Sequence, residues 1–172
     1  MIKRKRMVTI IAASVAIATL VAISLFFPRT TYLVLIDDLS GEYLHHVRLN
    51  ESEEFSVSFI HSVNISPVTE IFQIYEGRIV LTALEFYTFG AGMPTELESG
   101  QTLIHLLEGG MRIEGFDRVI DGLRYMPGLD TEHTLYVGTQ RVSLNTLGHA
   151  GHPMRFEFIS LNIWQKLVCL QT

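Results

Sequence analysis

The stretch FSVSFIHSVNISPVTEIFQIYEGRIVLTALEFYTF, residues 55–89, decides the fold class. Phe55, Val57 and Phe59 alternate with Ser56 and Ser58, the period of two that a strand shows when one face is buried and the other wet. Glu76-Gly77, between Tyr75 and Arg78, has the composition of a two-residue hairpin turn. Such a turn predicts Ile74 opposite Ile79, Phe72 opposite Leu81, Glu70 opposite Ala83 and Val68 opposite Glu85. Upstream, a four-residue loop Asn64-Ile65-Ser66-Pro67 pairs Val63 with Val68, His61 with Glu70, Phe59 with Phe72 and Val57 with Ile74. The two registers agree with each other, because Phe59, Phe72 and Leu81 then form one apolar row and Val57, Ile74 and Ile79 another.

Working outward, the same patterning continues on both sides. Tyr32 to Ile36 is a short apolar run closed by Asp37-Asp38-Leu39-Ser40-Gly41, which has turn composition, and residues 43–49 return as its partner. Downstream, residues 111–113, 134–137, 141–144 and 156–168 are further strand candidates separated by glycine-bearing turns. Residues 100–107 fit helical spacing through Leu103, Leu106 and Leu107, and fit a strand almost as well. Many short strands at regular spacing predict an all-β antiparallel sandwich or partly open barrel.

The predicted registers carry a chemical consequence. Alternate residues share a face, so His61, Glu70 and Glu85 fall on the same face as the apolar rows. Directly opposed Cβ atoms lie about 4.5 to 5.5 Å apart, which lets His61 touch Glu70 with Glu85 one diagonal step away. A carboxylate taken out of water must be paired, ligated or protonated. Three chemistries fit: a structural ion pair, a small-ligand or divalent-cation site with His61, Glu70 and Glu85 as ligands, and acid/base catalysis by the two carboxylates in a hydrolase or lyase. Just beyond Glu85, Gly90-Ala91-Gly92-Met93 precedes Pro94. A Gly-x-Gly segment can offer consecutive backbone N–H groups to an anion, although most such segments are only turns. Beside the cluster, Gly90, Ala91, Gly92 and Met93 join it as ligand-binding candidates for a carboxylic acid or zwitterion.

Other candidates carry less. Ser62 follows His61 on a strand and points to the opposite face, so the two are no catalytic pair, and His45 and His46 fail as joint ligands for the same reason. His149 and His152 flank Ala150-Gly151 in what reads as an exposed loop. Asp117, Asp121 and Asp130 are too scattered for a calcium loop, and Trp164 reads as a packing residue. Cys169 is the only cysteine, which excludes an intramolecular disulfide.

Residues 7–27 contain no charged side chain and follow Lys3, Arg4, Lys5 and Arg6. That length matches a bilayer core of about 30 Å, and a basic cluster holds its own end of a span in the cytoplasm. The expected organisation is a basic cytoplasmic tip at 1–6, a single-pass transmembrane helix at 7–27 and an extracytoplasmic β domain at 28–172, with the chain in the cytoplasmic (inner) membrane. The net charge of the chain is −5; without the basic tip, 9 basic side chains face 18 acidic ones, a net of −9. An acidic domain of this kind is a poor partner for nucleic acid, and cation or protein partners fit better.

His61-Ser62-Val63, Pro67, Glu70 and the segment Phe89-Gly90-Ala91-Gly92-Met93-Pro94 together resemble the bacterial family called domain of unknown function 1850, over roughly residues 55–145. The resemblance implies no established activity. It implies an association with tripartite (TRAP) transporters of the TAXI type, and hence a transporter membrane subunit or solute-binding protein as partner. The expected function is therefore an accessory or binding module for solute transport, with the carboxylate-based enzyme and a purely structural subunit as alternatives.

Overall fold

The computed structural model describes residues 2–26, 30–90, 92–107, 109–128, 131–149 and 151–161. It divides into two compact units, Met1–Thr30 with Ser160–Thr172, and Thr31–Ile159. In the first unit a helix α1 spans Ile2–Phe26. Its described side chains are exposed. Among the described residues no helix is long and apolar enough to cross a membrane.

The second unit is two antiparallel sheets in a sandwich-like arrangement, and it does not close into a barrel. The smaller sheet has the order β2-β1-β11-β8, built from β1 (Thr30–Asp37), β2 (Tyr43–Arg48), β8 (Arg124–Tyr125) and β11 (Met154–Leu161). The larger has seven strands in the order β10-β9-β3-β4-β5-β7-β6. These are β3 (Glu54–His61), β4 (Ser66–Tyr75), β5 (Arg78–Phe86), β6 (Thr102–His105), β7 (Met111–Val119), β9 (Thr134–Val137) and β10 (Gln140–Ser143). The helical alternative for residues 100–107 is thus resolved as strand, with Leu103 opposite Ile113. Trp164, Cys169 and the later part of the strand expected at 156–168 lie outside the described residues.

One core joins the sheets. Phe55 stacks on Phe72 within the larger sheet at 5.1 Å between ring centroids, and on Phe156 of the smaller sheet at 6.5 Å. Leu33, Leu35, Ile74 and Leu135 are fully buried around them. Each such side chain contributes about 1.5–3 kcal/mol by leaving water. A second apolar cluster, Val68, Leu84, Phe86 and Ile113, continues along the same face of the larger sheet.

The β4–β5 turn is as expected. Tyr75 pairs with Arg78, Ile74 with Ile79 and Phe72 with Leu81, and Glu76 and Gly77 both have positive φ, the left-handed pair of a type I′ turn. Beyond Phe72 the register shifts. An extra residue, Thr82, enters β5 as a bulge, so Ile71 faces Ala83, Glu70 faces Leu84 and Thr69 faces Glu85. The Thr82 hydroxyl donates to the Ile71 carbonyl at 3.2 Å and holds the distortion.

The β3–β4 loop also differs from expectation. It consists of residues 62–65, so His61 pairs with Ser66, Phe59 with Val68, Val57 with Glu70 and Phe55 with Phe72. Pro67 lies inside the strand rather than in the loop. It is tolerated because it sits near the strand's start, beyond the Val68–Phe86 pair, where β5 no longer asks for its missing N–H.

Candidate functional site

The corrected registers fix the rows of side chains on the inner face of the larger sheet. One row is Phe55, Phe72 and Leu81; the next is Leu135, Val57, Glu70, Leu84 and Ile113; the next is Phe59, Val68 and Phe86; and the last described pair is His61 with Ser66. A wholly apolar row therefore separates Glu70, set among the core residues, from the His61–Ser66 pair at the end of the strands.

The three ionisable groups expected to converge do not. Glu85 stands on the outer face, where it accepts from Arg112 at 3.0 Å, and Arg112 in turn lies 2.7 Å from Glu114. Glu70 points inward and accepts a hydrogen bond from the Tyr125 hydroxyl of the opposite sheet. His61 is two rows further along. The reason is the Thr82 bulge, which sends Glu85 to the other side of the sheet, together with the earlier loop, which moves His61 away from Glu70. Two carboxylates on opposite faces cannot flank one scissile bond, so the acid/base pair Glu70 and Glu85 is not formed. Neither is the expected divalent-cation site. Among the described residues no group of three or more His, Cys, Asp or Glu side chains could hold a metal ion.

Glu70 heads a different cluster that sequence reasoning missed. Burial pushes its carboxyl above the ordinary 4.5, with the Tyr125 hydrogen bond pulling weakly the other way. Burial, reinforced by Glu70, pushes the Tyr125 phenol well above its ordinary value. His133, itself buried, stacks on Phe59 at 5.0 Å, meets the Tyr125 ring edge-on at 5.7 Å and shares a 3.0 Å hydrogen bond between Nδ1 and Thr131 Oγ1. Its burial lowers its pKa below 6.5. No local signal in the two-residue strand Arg124–Tyr125 marks it as the partner of a residue 55 positions away.

At the open end, His61 caps its own turn. Its Nδ1 accepts the backbone N–H groups of Val63 and Asn64, each at 3.3 Å, so the ring proton resides on Nε2. Ile65 closes the turn by donating to the His61 carbonyl at 2.8 Å with a φ of 48°, a left-handed conformation costly for a β-branched residue. Gly90 and Gly92 lie against this turn, and Met93 donates its N–H to the Gly90 carbonyl at 3.1 Å. Gly90 packs so closely on the Asn64 amide that a Cβ there would collide with it. Gly92, at φ 85°, lies beside the His61 ring, since a Cβ at that position would stand 3.5 Å from Nε2. Ala91 lies outside the described residues.

Two donors of this turn are unsatisfied. Asn64 Nδ2 and Ser66 Oγ are buried with no hydrogen-bond partner among the described residues. Leaving such groups unpaired costs about 1–3 kcal/mol each, and native proteins keep few of them. The structure thus brings together His61, Gly90, Gly92 and Met93, adds Asn64 and Ser66, and removes Glu70 and Glu85. The result is a cluster that can donate hydrogen bonds and has no carboxylate of its own.

His149 and His152 are more engaged than an exposed loop implies. The His152 Nδ1 lies 2.7 Å from Asp37 Oδ2, and His149 Nε2 lies 3.4 Å from Glu42. Asp37 is fully buried, and its Oδ1 accepts the N–H groups of Leu39 and Ser40 at 3.0 and 2.8 Å. The histidine thereby ties a later loop to the β1–β2 turn.

No curated protein and no solved structure matches the chain. A family model does: the one described as Domain of unknown function (DUF1850) matches residues 55–144, a span that runs from the first residue of the Phe55 core pair, through the His61 turn and the glycine segment, to the end of β10. The chain belongs to the DUF1850 family.

Proposed function

We propose that this chain is a membrane-anchored, extracytoplasmic binding module that serves solute transport of the tripartite (TRAP) kind, with the turn at residues 61–66 and the segment at 90–93 as its ligand-facing end. The observation that carries the reading is α1. Ile10, Ile11, Val15 and Leu20 look out from different sides of it and each is more than half exposed. A helix that is apolar all round needs an apolar surrounding, and the uncharged run at residues 7–27 behind a basic cluster points to lipid, with the N-terminus inside. A domain fixed at the outer membrane face favours a membrane-embedded transporter subunit as partner over a diffusing one. Its net acidity disfavours anionic lipid headgroups as the target.

The test is to express the full chain together with the membrane and solute-binding subunits of such a transporter. Retention of the chain in membranes through an alkaline carbonate wash, cleavage of its β domain by protease added outside, and co-purification with a transporter subunit are the expected results. Release by the wash would overturn the anchor, and loss of the chain without any change in solute uptake would overturn the transport role.

A further inference from the structure

We infer that the turn at residues 61–66 is a receptor for a carboxylate group, which His61 Nε2–H, the Asn64 amide and the Ser66 hydroxyl hold together. The inference rests on the binding-module reading above and gives it a ligand class.

Three observations lead to it. One donor is set by the turn itself: backbone N–H groups occupy His61 Nδ1, so the ring proton resides on Nε2, the atom that Gly92 lies beside. The acceptors are missing: Asn64 Nδ2 and Ser66 Oγ are buried without partners among the described residues, and Ser66 is only 7% exposed. The geometry is held under strain, with Ile65 at positive φ between the two unsatisfied residues and Gly90 pressed on the Asn64 amide. A chain that keeps orphaned donors and a strained turn side by side is arranged for something that supplies oxygen atoms.

The chemistry of the donors selects among anions. Residues 59–70 and 86–95 contain no Lys or Arg, so neither segment supplies an ammonium or guanidinium donor. Phosphate and sulfate sites recruit guanidinium or ammonium groups, and a domain with an acidic excess repels multiply charged anions. One carboxylate, with two oxygens and a single charge, matches these few donors best. The expected ligand is an organic acid or amino acid that presents one carboxylate to the turn and leaves the rest of its body toward the exposed rim at Phe89 and Gly92.

The experiment is nuclear magnetic resonance on the full-length ¹⁵N-labelled chain in detergent micelles, titrated separately with acetate, succinate, L-glutamate and inorganic phosphate. Saturable movement of the His61 ring and Asn64 side-chain amide signals with the carboxylates, at lower concentration than with phosphate, is expected. Ser66→Ala should weaken that binding about tenfold or more while raising the melting temperature, since it removes a buried unpaired hydroxyl. Asn64→Asp, in the partly open turn, replaces a donor with a like charge and should abolish binding in a folded protein. The inference is overturned if no carboxylate moves the His61 and Asn64 signals, if phosphate moves them at lower concentration, or if Ser66→Ala binds as well as the parent. Carboxylate-induced shifts confined to other residues would overturn this site yet leave the binding-module reading standing. Loss of membrane retention with these shifts intact would overturn the anchor and leave this site standing.

Discussion

Asp37 and Glu70 are both carboxylates held away from water, one in each sheet, and the fold treats them in opposite ways. Asp37 receives two backbone N–H groups from its own turn and faces His152 at 2.7 Å. The Ser40 N–H, ahead of the opposing effect of burial and the help of His152 and Leu39, brings its pKa from 3.8 to about 2. Glu70 receives one hydroxyl from Tyr125, and burial wins, so its pKa rises. Burial alone therefore does not decide the charge state. The number of donors fixed in place before the carboxylate arrives does. The turn beside Asp37 supplies them as a by-product of its own geometry, whereas Glu70 depends on one residue from a two-residue strand.

The contrast breaks most sharply at Tyr125. Tyr125→Ala removes both the donor and a ring packed on Phe59 and Phe156, and should lower stability by about 3–5 kcal/mol in urea titration. Tyr125→Phe keeps the ring and should cost about 1–3 kcal/mol at neutral pH, with a smaller loss near pH 4, where Glu70 carries its proton. An equal loss at both pH values would show that Tyr125 does not support the ionised carboxylate.

The pH profile sharpens the contrast, because the two groups give stability opposite slopes. Glu70 has a folded pKa above 4.5, so its contribution is full below 4.5 and is lost as pH rises through the folded value, by at most about 1.4 kcal/mol per pH unit. Asp37 has a folded pKa of about 2, so its contribution is present above 3.8 and is lost as pH falls from there toward 2. His133, lowered from 6.5 by burial, adds a loss on the acid side, since below 6.5 the unfolded chain takes up a proton that the folded one refuses. Urea midpoints across this range should show Glu70→Gln flattening the decline above 4.5 and Asp37→Asn flattening only the most acidic part. If Glu70→Gln leaves the profile unchanged, Glu70 is not buried as described.

Much of the fold was legible because the residues that specify it are local. The alternation in β3, the Glu76-Gly77 turn and the Asp37 to Gly41 turn each act within a few positions, and all three are found as expected. The candidate site was legible only in part, because it depends on where registers change. Apolar residues occupy odd positions at Ile79 and Leu81 and even positions at Leu84 and Phe86, and that switch of parity is the mark of the Thr82 bulge. Read as a bulge, it would have turned Glu85 outward from the sequence alone. Placing Pro67 in the loop misplaced His61 along the strand, since a proline is tolerated at a strand's start and β4 begins at Ser66. Tyr125 and His152 had no such mark, since their carboxylates lie 55 and 115 positions away, and Tyr125 reaches Glu70 through the packing of the two sheets while His152 reaches Asp37 through the pairing of β1 with β11.

A third carboxylate calibrates the other two. Glu85 carries the same functional group as Glu70, on the neighbouring strand, but it stands on the outer face with its side chain 28% exposed and Arg112 at 3.0 Å. Such a surface pair is worth about 0–1 kcal/mol, and Arg112 keeps Glu114 when Glu85 is removed. Glu85→Gln should therefore be the mildest of these changes, with a loss within that range that shrinks further in molar salt and does not depend on Tyr125 in a double-mutant cycle. A cost as large as that of Tyr125→Phe, or measurable coupling to Tyr125, would mean that Glu85 faces inward beside Glu70. The Thr82 bulge would then be absent and the two carboxylates would share one face. Because the placement of Glu85 hangs on that one extra residue, the smallest expected effect is also the one that tests the β4–β5 register directly.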